Sequence, residues 1–253
     1  MESGARKRVE QEYFDASVRG EYARGVNVYD QEFLDHLTTQ TFDWVGPLKD
    51  RRVLFYGCGV NWDTADRFRS LGAQTIMIDL SFESMRQLTK KVVQEQATKE
   101  LMAVQMDCES LGFTDQAFDI VYGRAILHHL SIEQAAKEIA RVLKPGARAV
   151  FQEPLNMNPI INLFRWLTPR WRTPTEHPLS FRDIETIGRY FGRMKHVEFG
   201  LTATFGIMIN ALLVKLGGAP RQIRRLLQLD AFLTRRVPWL RRFCWGTIIV
   251  LER

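Results

Sequence analysis

The chain has 253 residues, 45% hydrophobic and 25% charged, an ordinary soluble composition with enough length to bury a sizeable core. No run reaches the roughly 18 uninterrupted apolar residues of a membrane span; the first residues lack the apolar stretch of a secretory signal, and three scattered cysteines make no disulfide framework, so a cytoplasmic protein is expected. The net charge of +6 is uneven, because from Lys215 onward nine basic residues face only Asp230 and Glu252.

In chain order, residues 9 to 40 read as helical, with Tyr13, Phe14, Val18 and Tyr22 near helical spacing, Gly20 and Gly25 as breaks, and Phe33, Leu34 and Leu37 as a second apolar face. Strand and helix patterns then alternate. Val53–Tyr56 is strand-like, Asp63–Leu71 helical and closed by Gly72, and Thr75–Ile78 a second strand. Ser81–Gln96 reads as a helix with Ser81 as its N-cap, followed by strands at Met102–Met106 and Phe118–Tyr122. Ser131–Leu143 is an amphipathic helix opened by Ser131 and closed by Lys144-Pro145-Gly146, and Ala147–Gln152 is a fifth strand. Beyond Glu153 the pattern changes. Pro154, Pro159, Pro169, Pro174 and Pro178 punctuate a stretch in which Phe164, Trp166 and Trp171 interleave with Arg165, Arg170 and Arg172, which reads as an insertion. A helix at Ser180–Tyr190, a strand at His196–Leu201 and a late strand at Gly246–Leu251 complete the pattern.

Strands alternating with helices of this length predict an α/β fold, a mostly parallel sheet with helices on both faces. Ligands of such sheets sit outside the carboxyl ends of the strands. That edge carries Gly57–Gly59, Asp79, Asp107, Gly123 and Glu153. Gly57 and Gly59 let the backbone turn tightly and approach a ligand, and Asp79, ending the second strand, is placed to accept both hydrogen bonds of a ribose diol. Each carboxylate also has a plainer reading as a strand-end cap. A nicotinamide dinucleotide site fits less well, because position 62, where a third glycine is expected, holds Trp62. A zinc site is not expected, since no Cys/His set has ligand spacing.

Three segments in order resemble the class I S-adenosylmethionine-dependent methyltransferases that act on small molecules: Val53-Leu54-Phe55-Tyr56-Gly57-Cys58-Gly59-Val60-Asn61, Phe118-Asp119-Ile120-Val121 through Leu127-His128-His129-Leu130, and Leu143-Lys144-Pro145-Gly146. The resemblance covers about residues 45 to 155. It implies a Rossmann-like seven-stranded sheet with an antiparallel last strand, S-adenosyl-L-methionine as cofactor, and a helical cap. It divides the chain into an N-terminal helical segment over the cofactor site (1–44) and a methyltransferase domain (45–253) with cap insertions at about 154–179 and 202–243. It places Gly57, Cys58 and Gly59 under the methionine moiety, Asp79 with Leu80 at the ribose, Asp107 and Cys108 at the adenine, and Gly123 facing the methionine part. Two positions depart from the family pattern. Phe55 stands where the first strand usually carries an acid, and Asn61 replaces the third glycine, where its tolerance of positive φ would preserve the turn.

Methyl transfer from a sulfonium relies mostly on proximity and in-line geometry, so a base matters only for a protonated nucleophile. His128 and His129, after the fourth strand, are candidates, and adjacent residues cannot both point into one pocket. His177 in the insertion and Glu153 at the end of strand five are further candidates for substrate contact. For His128, His129 and Glu153 packing or capping is the alternative, and for His177 a solvated place in a loop. Enzymes that methylate base amino groups carry an Asn/Asp-Pro-Pro-aromatic motif after strand four, where this chain reads Tyr122-Gly123-Arg124-Ala125, so nucleic acid is not the expected partner.

Residues 221–243 form a basic amphipathic pattern interrupted by Pro238. It reads first as a lid packed on the domain, second as a peripheral contact with anionic membrane anchored by Trp239, Phe243 and Trp245, and third as an electrostatic trap for anions. The expected function is methyl transfer to an O, N, C or S atom of a small or lipid-like molecule. The alternatives are an RNA or protein methyltransferase, suggested by the basic segment, and a non-catalytic methyltransferase-like binding protein, suggested by Phe55 and Asn61.

Overall fold

The computed structural model describes residues 3–21, 31–169, 173 and 175–253. Of the residues singled out in the sequence, Tyr22, Gly25, Arg170, Trp171, Arg172 and Pro174 lie outside these.

Two helices, α1 (Ser3–Arg19) and α2 (Gln31–Val45), precede the sheet. Then come β1 (Arg52–Tyr56), α3 (Trp62–Ser70), β2 (Gln74–Asp79), α4 (Phe82–Gln94), β3 (Leu101–Gln105), β4 (Phe118–Arg124), a 3-10 turn at Leu127–His129, α5 (Ile132–Val142) and β5 (Leu143–Pro154). The second half adds α6 (Pro159–Leu167), α7 (Phe181–Gly188), β6 (Arg193–Phe199), α8 (Ala203–Lys215), α9 (Arg224–Arg236), a 3-10 turn at Pro238–Phe243 and β7 (Gly246–Glu252). The seven strands lie in the order β3-β2-β1-β4-β5-β7-β6. β1 to β5 are parallel, and β7 runs antiparallel to both β5 and β6. This is the Rossmann-like methyltransferase architecture.

The strands are apolar on both faces because both faces are covered. In β1, Val53 and Phe55 point to a core built with Phe33 and Leu37 of α2, Phe68 of α3 and Leu88 of α4. Leu54 and Tyr56 point the other way, to Ile139 of α5 and Ile184 of α7. Phe55, which replaces the family acid, is fully buried and packs edge to face on Tyr122, with ring centroids 5.3 Å apart, and on Phe68 at 6.0 Å. Its side chain belongs to the core.

Several local expectations are corrected. Asn61 does not adopt positive φ: at φ −78° it is the N-cap of α3, accepting from the Thr64 N–H. The turn survives because Asn is a good capping residue, and the positive φ values fall on Gly57 and Gly59. Ser81 caps α4 as expected, accepting from Ser84, whereas Ser131 makes no side-chain cap to α5. Lys144-Pro145-Gly146 is the irregular start of β5, where the register with β4 shifts between Phe118 and Ile120. β6 begins at Arg193, earlier than the sequence suggests, because β7 supplies partners from Glu252 inward. Of the three aromatic anchors expected in the basic segment, Trp239 is exposed and Phe243 half-buried, but Trp245 is buried and stacks on Phe33 at 5.5 Å.

Within the 202–243 stretch one carboxylate ties α9 to the start of α8, while Glu32 of α2 accepts from the Ile223 N–H at 2.8 Å. Asp230 of α9 is buried and accepts from the N–H groups of Leu201, Thr202 and Ala203, and from the Thr202 hydroxyl, at 2.5–3.2 Å. It satisfies donors left orphaned at the start of α8.

Candidate functional site

A cavity of about 230 Å³ opens at the carboxyl edge of β1, β2 and β4. Its wall combines the turn after β1 (Gly57, Cys58, Gly59), the end of β2 (Asp79, Leu80), the residues after β3 (Asp107, Cys108), and His129. Eight of the residues read from the sequence therefore meet in one place. Gly123, His128, Glu153 and His177 do not line it.

The two glycines of the β1 turn serve different ends. A Cβ on Gly57 would fall 2.3 Å from Cγ1 of Ile126, so packing excludes a side chain there. Around Gly59 nothing lies within 4 Å of such a Cβ, so its backbone, at φ +54°, borders open space. Gly123 is likewise set by packing, since a Cβ would meet the Phe151 ring at 2.5 Å. Ala125 carries φ +53° without being glycine and lines the cavity between Arg124 and Ile126. Such strain costs on the order of 1–2 kcal/mol and clusters at functional sites.

Asp79 reaches the cavity with its carboxylate already oriented. Oδ2 accepts from the Gly59 N–H at 2.8 Å and Oδ1 from the Ser81 N–H at 2.9 Å. Burial raises its pKa, against the lowering effect of those two N–H groups and of His129. Each oxygen keeps an unused lone pair for a ligand hydroxyl. Burial also pushes the thiols of Cys58 and Cys108 well above their ordinary value, with Asp79 nearby adding to it, so neither is a ready nucleophile.

The opposite wall comes from α1, which the sequence placed over the site without naming its contacts. Lys7 lies 2.7 Å from Asp107 and 3.0 Å from Glu109, and Arg6 also pairs with Glu109. Burial would lower the Lys7 pKa, but the two carboxylates raise it. Glu109 is buried and also accepts from the Ser131 N–H, so one side chain fixes both the lid helix and the start of α5. Further along, Asp15 accepts from the Ser81 hydroxyl at 2.6 Å and the Glu83 N–H at 3.0 Å, pinning α1 to α4. The pairs of Arg6 and Lys7 join residues about a hundred positions apart, and those of Asp15 more than sixty, beyond any local pattern.

The two histidines separate cleanly. Nδ1 of His128 faces Glu153 at 2.7 Å, and the other Glu153 oxygen accepts from the N–H groups of Ile126 and Leu127, both at 2.9 Å. Glu153 and His128 thus hold the turn after β4 in shape. His129 faces the cavity beside Phe14 and lies 3.2 Å from Glu10, whose other oxygen accepts from the hydroxyls of Thr173 and Thr175. Burial lowers the His129 pKa, but the nearby Glu10 carboxylate, helped by Glu176 and Glu153, outweighs it and leaves it raised. His177 is exposed, and its N–H donates to the His128 carbonyl. Sequence spacing argued against a metal, yet the fold brings one ligating atom each of His128, His129 and Glu176 within 4.8 Å of one another.

The family model described as a methyltransferase domain matches residues 54–151. A demethylmenaquinone methyltransferase of Lactococcus lactis is 30% identical over 142 residues, 55% of this chain and 56% of that protein. A sterol 24-C-methyltransferase of Aspergillus fumigatus is 26% identical over 161 residues, 63% of this chain and 40% of that protein. The chain thus spans about half, or less, of the length of these curated relatives. Among solved structures, geranyl diphosphate C-methyltransferase from Streptomyces coelicolor superposes with a TM-score of 0.67 at 14% identity, covering 98% of both chains. The cyclase SpnF superposes with a TM-score of 0.65 at 18% identity, covering 98% of this chain and 96% of that one.

Proposed function

We propose that this chain, whose residues 54–151 belong to the class I S-adenosylmethionine-dependent methyltransferases, binds S-adenosyl-L-methionine in the cavity at the carboxyl edge of β1 and β2 and transfers its methyl group to a small or lipid-like acceptor. The observation that carries the reading is the pairing of Gly59 and Asp79. An open backbone approach lies directly beside a carboxylate that two N–H groups hold in place. Gly57, Cys58 and Gly59 would support the methionine moiety, Asp79 and Leu80 the ribose, and Asp107 with Cys108 the adenine. Phe55 does not weigh against this, since its side chain faces the core and not the cavity.

When bound, the cofactor supplies an electrophilic methyl group on a sulfonium, whose departure needs no acid. The chain's own contribution is position and exclusion of water. α1 closes the cavity through Arg6, Lys7 and Glu10, and Ile126 and Leu130 complete an apolar wall. His129 is the one of the four candidate catalytic residues in this wall, and its neutral form is the base for an acceptor that must lose a proton. His128 and Glu153 position it by fixing the turn on which it stands. The basic residues beyond 215 do not line the cavity, which gives no support to an RNA or protein acceptor drawn into it by charge. Relatives named for quinone and sterol acceptors favour a lipid-like one.

Calorimetric titration with S-adenosylmethionine and S-adenosylhomocysteine, with NAD as control, tests the reading. Micromolar binding of both sulfur nucleosides and none of NAD is expected. Asp79→Asn should weaken that binding by about 1–3 kcal/mol without a matching loss of thermal stability. Absence of sulfur nucleoside binding by the folded protein would overturn the assignment.

A further inference from the structure

The cap presents an apolar surface that none of the described residues covers. In α8 the sequence from Ala203 to Val214 holds no charged residue. One stripe, Ala203, Ile207 and Asn210, is buried against the domain. A second stripe, Phe205, Ile209, Leu212 and Leu216, recurs at helical spacing and is exposed, Phe205 at 59%, Leu212 at 57% and Leu216 at 75%. α6 lies against α8 and repeats the pattern: Ile161 is buried, while Leu163, Trp166 and Leu167 face outward, Trp166 at 76%. Single exposed leucines are ordinary, but two contacting helices that each expose a full apolar stripe make a patch that marks an interaction surface.

Charge selects the partner. α6, α8 and α9 together contain one acidic residue, Asp230, and it is buried in capping α8. Lys215 ends α8, and Arg221, Arg224 and Arg225 follow in the chain up to the first turn of α9, all exposed and none in an ion pair among the described residues. An apolar face that carries an exposed tryptophan and is followed in the chain by unpaired cations has the composition of a helix surface that lies in the headgroup layer of an anionic bilayer. A second copy of this chain would bring the same uncompensated cations against themselves.

We propose that the outer faces of α6 and α8 dock on an anionic lipid surface. α6 leaves the sheet at the end of β5 and α8 at the end of β6, and both ends are level with Gly246 of β7. The docking face therefore stands on the same carboxyl edge as the cavity. The membrane contact read from the basic C-terminal segment is here relocated from Trp239, Phe243 and Trp245 to the stripes of α6 and α8. The inference stands on the cap surface alone, and vesicle binding requires no cofactor, so it can fail or hold separately from the methyltransferase reading.

The test is co-sedimentation of the full chain with vesicles of phosphatidylcholine, with and without phosphatidylglycerol. Binding to the phosphatidylglycerol vesicles at low salt, weakened by salt, is expected. The surface double variant Trp166→Glu with Leu212→Glu should lower that affinity roughly tenfold or more. Arg221→Gln with Arg224→Gln and Arg225→Gln should remove the preference for the anionic lipid. S-adenosylhomocysteine affinity and the circular dichroism spectrum should stay unchanged in both, which separates loss of docking from loss of fold. No sedimentation with anionic vesicles at low salt would overturn the proposal, as would binding indifferent to the α6 and α8 substitutions. Self-association abolished by those same substitutions would overturn it too, assigning the patch to a second copy.

Discussion

The Glu10 carboxylate lies 3.2 Å from Nδ1 of His129 and, through its other oxygen, holds the hydroxyls of Thr173 and Thr175. One side chain of the first helix thus joins the lid, the turn after β4 and the segment before α7 at the mouth of the cavity.

This pairing makes His129 pH-sensitive in a stated direction. Burial alone would lower its pKa, yet Glu10 leaves it raised, so the base form is reached at higher pH than in an ordinary imidazole. Glu10→Gln removes the charge and keeps the burial. The His129 titration followed by NMR, and the acid limb of kcat/KM for an accepted substrate, should both move to lower pH. A limb that does not move would remove His129 from the role of base.

The same pair contributes to stability within a window. His129, with a raised pKa, stabilises the fold below the ordinary imidazole value, and that contribution is lost as pH rises through the raised value. Burial would raise the Glu10 pKa, but His129 and the two threonine hydroxyls lower it; its contribution is present above the ordinary carboxylate value and lost as pH falls through the lowered one. Urea unfolding of Glu10→Gln against the parent should therefore show its largest deficit between those limits and a shrinking one at alkaline pH.

Restoring the family acid should do harm. Phe55→Asp places a carboxylate among Phe68 and Tyr122 with no partner, and should cost roughly 3–5 kcal/mol in chemical denaturation. It should bring no gain in S-adenosylhomocysteine affinity. A tighter-binding, stable variant would show that position 55 does reach the cavity.

Gly57→Ala and Gly59→Ala should separate packing from access. The first meets Ile126 and should lose about 1–3 kcal/mol of stability, part of it recovered by Ile126→Ala. The second has open space and should lose only the cost of its positive φ, about 1 kcal/mol. Its cofactor affinity should nonetheless fall by more than that, as titration calorimetry would show.

Removing the carboxylate that caps α8 should loosen the junction of α8 with α9. Asp230→Ala leaves the N–H groups of Leu201, Thr202 and Ala203 without an acceptor and should cost about 2–4 kcal/mol. Hydrogen exchange at those three amides should accelerate while β1 and β4 stay protected.

What the sequence made legible was local. The β1 turn, the Ser81 cap, the acid ending β2 and the alternation of strands and helices are each written in a few consecutive residues. Asp79 could be placed at a ligand edge because its strand and turn are contiguous. The partners of Asp107 could not, because Lys7 reaches it from the other end of the chain. Glu109 and Asp230 escaped notice for the same reason: a carboxylate that caps a remote helix leaves no periodic trace. His128 and His129 were indistinguishable as neighbours, and only the turn geometry set by Glu153 sends one inward and the other to the cavity. Asn61 and Trp245 differ from expectation because residue preference does not carry what each position meets, the first turn of α3 for one and the Phe33 ring for the other.

Among the described residues β6 pairs with β7 alone, and β7 lies between β6 and β5. During synthesis, residues 193–245 therefore emerge before the strand that anchors them. The parallel part of the sheet, β3-β2-β1-β4-β5, can close while α8 and α9 still lack an edge to sit on. Until residues 246–252 pair, one flank of β5 is open, and the apolar cap helices are exposed together with it. The vulnerable interval in this protein's assembly is thus the one before β7 pairs, when a chaperone or a lipid surface has the most to shield.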